Sequence, residues 1–549
     1  MALDTLSRVP EAEKPGGARL QLLERSALAA EPEPLVSPPG DGELLWYLGP
    51  QRRWVQLLAS ISFILAAMSL VRFSLTSAWL IPLLAALAVS VTALVLSMLS
   101  GLRRRRDTRR SHWETVNAWE ARMSGLPHPS VDVFLPTCGE PLEVLRNTYA
   151  FVSRMTWGGP LAVWVLDDAD REEVRDLAAE FGFAYRVRPD RGRLKKAGNL
   201  RYGFGQSTGD LIVVLDADFA PRRDFLRHTV PYMDDPGVGI VQTPQFFATH
   251  DGQGWLERTA GATQELFYRW VQPSRDRAGA PICVGTCALY RRAALDASGG
   301  FAEIEHSEDV HTGIKLTLNG FRVRYLPVLV SRGLCPDDLA GFLNQQYRWC
   351  NGSMSLLRSG RANHRPLTGP QRIAFWSGFL YYISTAVNVF VIHIPGVIMA
   401  TFFAAEVRAE NYLPFLAGAW IYFVLMPRMM RSQWRFEVLR VQMAYSFCHA
   451  LAIIHNVTGR TVGWVATGAV GRRSSLASKI SRLGFVAIVL TVGASWIAWG
   501  IDVGIYGLGE FWAMGLFLVG YSYVALPLAW EFARIIARDL SRTRREAAA

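Results

Sequence analysis

The sequence predicts a doubly wound α/β domain inserted between transmembrane α-helices. Three observations carry this. Two uncharged runs long enough to cross a bilayer open the chain, at 54–71 and 78–99. Short apolar segments then alternate with amphipathic ones between 107 and 365, the pattern of buried parallel strands joined by helices. Beyond 365 the hydrophobic signal returns and persists almost to the end. The 549 residues leave room for two or three domains, and half of them are hydrophobic.

At 1.5 Å per residue each early run approaches the roughly 30 Å hydrocarbon core, so 45–106 reads as a helical hairpin. Residues 1–44, rich in Pro, Glu, Ala and Gly and without a secretory signal, read as a disordered tail. Arg103, Arg104, Arg105 and Arg106 directly follow the second run, as positive-inside anchors do, and this placement accounts for part of the +11 net charge. No basic motif interleaved with aromatics appears, so nucleic acid is not an expected partner. The six cysteines are scattered without zinc-ligand spacing and read as reduced thiols.

In the central domain, 131–135, 161–166 and 211–215 read as strands and 172–181 as a helix. In the hydrophobic region 366–535, the stretch 373–405 is too long for one straight span. Interrupted at Pro395, it reads as an interfacial helix followed by a span. Further spans are expected at 411–426, 483–501 and 511–530. The uncharged stretch 441–457 carries His449 and His455 and is not counted, because counting it would put the basic tail 536–549 outside. About six spans leave both termini and every arginine cluster inside.

Ligands of doubly wound sheets bind beyond the carboxyl ends of the strands, and polar stations stand there. Thr137-Cys138-Gly139-Glu140 follows the first strand; an ordinary strand-to-helix turn would look similar. Asp167-Asp168 ends the second strand and could cap the next helix. Asp216-Ala217-Asp218 follows Leu211-Ile212-Val213-Val214-Leu215. Two acids one residue apart at a strand end can give oxygen ligands to a hard divalent cation, Mg²⁺ or Mn²⁺, that also holds a diphosphate. Ser307-Glu308-Asp309 could start a helix over 310–318. Gln345, Arg348 and Trp349, spaced i, i+3, i+4, share one face of a helix expected to start at Pro336-Asp337. There Arg348 can pair with diphosphate oxygens while Trp349 offers a flat surface to a sugar ring.

This ordered set, together with Lys196-Ala197-Gly198-Asn199 and the run Gln345-Gln346-Tyr347-Arg348-Trp349, resembles the processive, membrane-integrated family 2 glycosyltransferases of the cellulose synthase type. The resemblance covers roughly 45–535. It implies a GT-A-like cytosolic domain that polymerises a UDP-sugar, UDP-glucose foremost, into a β-linked glucan and passes it through its own channel. It places Thr137, Cys138 and Glu140 around uridine, with Asp167 and Asp168 positioned to accept the uracil N3–H and Lys196 on the nucleotide. It makes Asp216 and Asp218 the cation and diphosphate station and Asp309 the general base. Gln345 and Arg348 are implied for the diphosphate, and Trp349 for the terminal acceptor sugar beside Glu308. Thr243-Pro244-Gln245-Phe246-Phe247 and Gly285-Thr286-Cys287 resemble family segments near acceptor and sugar, implying Phe246 and Cys287 as acceptor contacts.

Some positions depart from the family pattern. Tyr-Asn is commoner where Cys138-Gly139 stands. The gating segment is matched only by Trp464-Val465-Ala466-Thr467, without its lysine. About twenty residues follow the last expected span, too few for a PilZ barrel, so control by cyclic-di-GMP through a fused domain is not expected. The expected partners are the donor, the growing polysaccharide, the lipid bilayer and an extracytoplasmic polysaccharide-handling protein. A 1,3-glucan, hyaluronan or chitin-type product stays open, as does a non-catalytic exporter, although no G-x-x-x-x-G-K-[ST] phosphate loop supports ATP-driven export.

Overall fold

The computed structural model describes residues 34–49, 54–101, 107–247, 253–336, 338–364, 366–430, 436–460 and 475–548. Trp464 and Thr467, Asp337, the Arg103–Arg106 cluster and residues 1–33 of the expected tail lie outside them.

The central domain is built on a seven-stranded sheet. Its strands are β1 (Val131–Thr137), β2 (Leu161–Asp167), β3 (Ala184–Arg186), β4 (Leu211–Val214), β6 (Val238–Gln242), β8 (Ala288–Arg291) and β9 (Arg322–Tyr325), in the order β3-β2-β1-β4-β8-β6-β9. A second sheet joins β5 (Phe219–Pro221), β10 (Ser331–Gly333) and β7 (Phe246–Phe247) in the order β5-β10-β7. The first four strands run parallel, and β8 enters antiparallel to both β4 and β6, making the sheet mixed. All seven residues of β1 are buried, as expected for a strand covered by helices on both faces. Its one acid, Asp132, is satisfied internally by the Trp164 indole (3.0 Å) and the Gly209 amide (2.6 Å). β1 is flanked by β2 and β4, so the chain reverses its winding there, and the crevice at that switch point faces the stations that follow β1 and β4.

Among the described residues, five helices are long and apolar enough to cross a membrane: Leu57–Ser74, Ala78–Ser97, Gly369–Phe402, Ser475–Tyr506 and Leu508–Arg545. The expected span at 411–426 falls in a helical run from Ala409 to Met430 that passes through a π-turn at Ile421–Leu425. This run lies directly against the first helix, where Ser62 Oγ donates to Gly418 O (2.7 Å) and Ser69 Oγ to Asn411 O (2.6 Å). A Cβ on Gly418 would stand 2.6 Å from the Ser62 carbonyl, so only glycine permits this approach. The break expected near Pro395 is absent: Gly369–Phe402 is one helix of 34 residues containing that proline. Val438–Thr458 is helical but sits inside the assembly, with Val441, Ala444, Cys448, His449 and Ala452 fully buried.

The expected tail also needs correcting from residue 34 onward. Val36, Leu44, Tyr47 and Leu48 are buried against the central domain, and two short helical turns, Asp41–Leu44 and Trp46–Leu48, form a strap across it. Composition suggested disorder here, but four apolar side chains suffice to dock so short a segment.

Candidate active site

The stations that follow β4 and open the two later helices lie together, linked through Lys196, Gly285 and Gly352. After β1, Glu140 turns back so that Oε2 accepts from the Thr137 hydroxyl (2.5 Å) and the Cys138 amide (2.7 Å). The Arg171 guanidinium donates to the Glu140 carbonyl (2.7 Å). Glu140 therefore closes its own turn. After β2, Asp167 is fully buried and accepts from the Ala169 and Arg171 amides (2.9 and 2.8 Å) and the Tyr185 hydroxyl (3.0 Å). Asp168 accepts a two-pronged Arg188 pair (2.6 and 2.9 Å) and the Gly192 amide (3.3 Å). A carboxylate has about four acceptor positions, so each retains about one. Both acids are thus held inside the domain: Asp167 is fully buried, and the Asp168 side chain is 5% exposed against the fully buried Arg188.

Arg188 organises the next station. It passes under the start of the helix Lys195–Gln206, where a Cβ on Gly198 would lie 2.3 Å from its Nη1. Asn199 ties that helix to β2 by donating to the Leu166 carbonyl (2.6 Å). Lys196 is thereby aimed into the cleft: its ammonium pairs with Asp216, donates to the Gly285 carbonyl (2.8 Å) and lies 3.9 Å from Glu308. Burial draws its pKa down, but the charges of Asp216, Glu308 and Asp309 outweigh burial and raise it.

The Asp216-Ala217-Asp218 turn is pinned from three sides. The Asp216 amide donates to Thr286 Oγ (2.8 Å), Thr148 Oγ donates to the Ala217 carbonyl (2.6 Å), and the Leu334 amide donates to the Asp218 carbonyl (3.3 Å). Burial first, and the Asp216 charge second, push the Asp218 carboxyl up to about 7. Asp309 is the second residue of the helix Glu308–Leu318, which follows Ser307, whose backbone is left-handed (φ 57°). The Asp309 carboxylate accepts from the Val310 amide (2.8 Å) and lies against Gly285, where a Cβ would come within 3.0 Å of its own. Burial and then the neighbouring Glu308 charge raise its pKa.

The third wall is the helix Leu339–Arg358, capped by Asp338 accepting from the Gly341 amide (2.6 Å), so it starts just beyond the expected Pro336-Asp337. Gln346, Tyr347 and Cys350 are buried while Gln345, Arg348 and Trp349 keep partial exposure, as their shared face requires. Burial lowers the Arg348 pKa, and the charges of Glu308, Asp216 and Asp309 oppose that shift. Gly352, one turn on, touches Ser307: a Cβ there would lie 1.7 Å from the Ser307 hydroxyl.

Two expected acceptor contacts are corrected. Cys287 is fully buried, receives a hydrogen bond from the Ser331 hydroxyl (2.8 Å) and has its thiol pushed up to about 12 by burial. Phe246 is 6% exposed, covered by the edges of Trp46 and Tyr47. Both brace the site from behind. Glu308 is nearly buried and belongs to the charge network. Residues not foreseen are Arg188, Arg171, Thr148 and Gly352. Each acts through a partner distant in sequence, and only the glycine of Lys-Ala-Gly-Asn hinted at Arg188.

Asp216, Glu308 and Asp309 thus gather around Lys196, with Asp218 two residues beyond Asp216. This excess of oxygen donors fits a hard divalent cation. Among the described residues no three His, Cys, Asp or Glu side chains form a ready metal cage. Asp216 and Asp218 would hold such an ion together with oxygens from the donor.

Residues 211–432 match the model of glycosyl transferase family group 2. The cellulose synthase catalytic subunit [UDP-forming] of Xanthomonas axonopodis pv. citri is 34% identical over 264 residues, 46% of this chain and 36% of that protein. Cellulose synthase 1 of Komagataeibacter xylinus is 34% identical over 305 residues, 53% of this chain and 19% of its own length. The matches thus span about a third or less of these relatives. Among solved structures, a Pyrobaculum calidifontis mannosyltransferase in complex with GDP-Man and Mn²⁺ aligns with 68% of this chain and all of its own, at 18% identity and a TM-score of 0.45. Residues 211–432 thus resemble glycosyl transferase family group 2, and bacterial cellulose synthase catalytic subunits are among the proteins to which this chain is similar.

Proposed function

We propose that the chain is a processive, inverting glycosyltransferase that polymerises a UDP-sugar, UDP-glucose foremost, into a β-linked glucan such as cellulose and passes it across the membrane. The observation that carries this reading is one cluster: the Lys196 ammonium pairs with Asp216, donates to the Gly285 carbonyl beside Asp309 and lies 3.9 Å from Glu308, while the helix that carries Arg348 touches Ser307 through Gly352. The relatives' names support the donor and product. The membrane-length helices on both sides of the domain support translocation, with the domain and basic clusters on the cytosolic face.

In the reaction, Asp309 takes the proton of the acceptor hydroxyl as that oxygen attacks the anomeric carbon. The bond from the anomeric carbon to the diphosphate breaks, and UDP departs with the electron pair. Inversion turns an α-linked donor into a β-linkage. Arg348 and Lys196 supply fixed positive charge where the diphosphate accumulates negative charge. A divalent cation at Asp216 and Asp218 would supply Lewis-acid stabilisation of the same diphosphate. Trp349, on the Arg348 face, offers a ring to the terminal acceptor sugar.

Membranes containing the chain, given labelled UDP-glucose, UDP-N-acetylglucosamine or UDP-glucuronate separately, are expected to incorporate only glucose, into a product that a cellulase degrades. Exhaustive chelation should stop incorporation, and Mg²⁺ or Mn²⁺ should restore it. Incorporation of an N-acetylhexosamine alone, or none from any donor, would overturn the reading.

A further inference from the structure

The strap precedes the membrane hairpin in sequence yet is bolted to the sheet that carries the second acid of the Asp216-Ala217-Asp218 turn. Glu43 pairs with Arg332 of β10 (2.5 Å), and the Arg332 side chain is only 15% exposed. That guanidinium in turn covers the Phe246 ring of β7 at 5.2 Å. Trp46 and Tyr47 meet the same ring edge-on at 6.1 and 6.0 Å. The Leu44 carbonyl accepts from the Leu329 amide (2.9 Å). Arg222, one residue beyond β5, donates to the Pro39 carbonyl and pairs with Asp41, both at 2.7 Å. The strap therefore touches β7 and β10 and the residue that leaves β5.

That sheet begins at the cation station. Phe219, the first residue of β5, follows Asp218 directly and pairs with Gly333 of β10, and the Leu334 amide holds the Asp218 carbonyl. Beneath the strap, a cavity of about 570 Å³ is lined by its own Asp41, Leu44 and Leu45 and by Arg109 and Trp113 of the helix that follows the hairpin. The strap thus borders this cavity on one side, while Leu44, Tyr47 and Leu48 are buried against the central domain on the other. An exposed ion pair contributes little to stability. What Glu43 and Tyr47 can fix is geometry, the placement of β10 against β5.

We propose that the strap is part of the donor site: Glu43 and Tyr47 are positioning residues that set Asp218 and the Phe246 strand through β10. The proposal rests on the reading of Asp218 as a cation and diphosphate ligand. Its test uses the full chain in detergent, comparing wild type with Glu43→Gln, Glu43→Asp and Tyr47→Ala. Amide exchange at Phe219, Ser331–Gly333 and Leu334 should rise at least tenfold in Glu43→Gln and Tyr47→Ala, while β1 and β4 change less than twofold. UDP affinity in Mn²⁺ should fall severalfold in the same variants, with Glu43→Asp partly restoring both. Exchange within twofold of wild type in both variants, or raised exchange with unchanged UDP affinity, would overturn the proposal. If Tyr47→Ala fails to fold, Glu43→Gln alone decides. A wild-type chain that binds no UDP would count against the donor reading, whereas the exchange data would still judge the strap.

Discussion

At the scale of single residues, chemistry is divided by charge environment. As the proposed general base, Asp309 would have to be ionised to take a proton, yet burial and Glu308 raise its pKa. The ionised fraction therefore falls away at a higher pH than for an ordinary carboxylate, and turnover should decline as pH falls through the raised value. Glu308→Gln removes the like charge and should move that acid limb to lower pH in a kcat profile. Asp309→Asn should lower turnover by about 10²–10⁴ while isothermal titration finds UDP affinity nearly intact. Arg348 and Trp349 separate differently. Arg348→Ala removes the charge that faces Glu308, Asp216 and Asp309 and should weaken UDP binding markedly. Trp349→Ala removes only a ring, so UDP affinity should hold while stimulation by added acceptor oligosaccharide is lost. Equal loss of affinity in both would make Trp349 a prop for its helix.

At the scale of elements, the contact between two helices is set by one missing methyl. Gly352 lies against Ser307, so Gly352→Ala must push the Leu339–Arg358 helix away from Asp309. Overpacking of this kind costs about 1–3 kcal/mol, visible as a lower melting temperature together with lost turnover. Ser307 already has a left-handed backbone that glycine adopts freely. Ser307→Gly in the Gly352→Ala background should therefore restore much of both. Neither residue could be paired from sequence, because their contact depends on how two helices 45 positions apart meet. What was legible is what local pattern dictates: β1, β2 and β4 as apolar runs, their polar ends, and the i, i+3, i+4 face of Gln345, Arg348 and Trp349. Cys287 was misjudged because its left-handed backbone (φ 53°) turns the thiol toward Ser331 just before β8, which no periodicity reveals. The strap was misjudged because its docking depends on Phe246, Arg222 and Arg332, about two hundred to three hundred residues away.

At the scale of the whole molecule, the membrane helices contain one acid with no evident use. Asp502 is 5% exposed, and its Oδ2 has no hydrogen-bond partner among the described residues. An unsatisfied buried polar group costs about 1–3 kcal/mol, so Asp502→Leu should raise the melting temperature in detergent. Should turnover or secretion fall while stability rises, the acid serves the passage of polymer.

The helix that carries Arg348 is not a border between two bodies. Tyr347 hydrogen-bonds His455 (2.8 Å) and Asn351 receives a hydrogen bond from Asn456 (2.5 Å), both on the buried helix Val438–Thr458. One apolar cluster runs unbroken from Leu256, Ile314 and Phe342 of the central domain to Val441, Ile480 and Phe532 of the helices beyond it. For anyone wishing to study the proposed chemistry in water, this means the chain has no detachable head. The fragment 107–365, expressed alone, would leave the surfaces of Phe342, Tyr347 and Leu356 facing solvent. It should bind a hydrophobic dye, sediment as aggregate and show no affinity for UDP, while the full chain in a lipid nanodisc stays monodisperse.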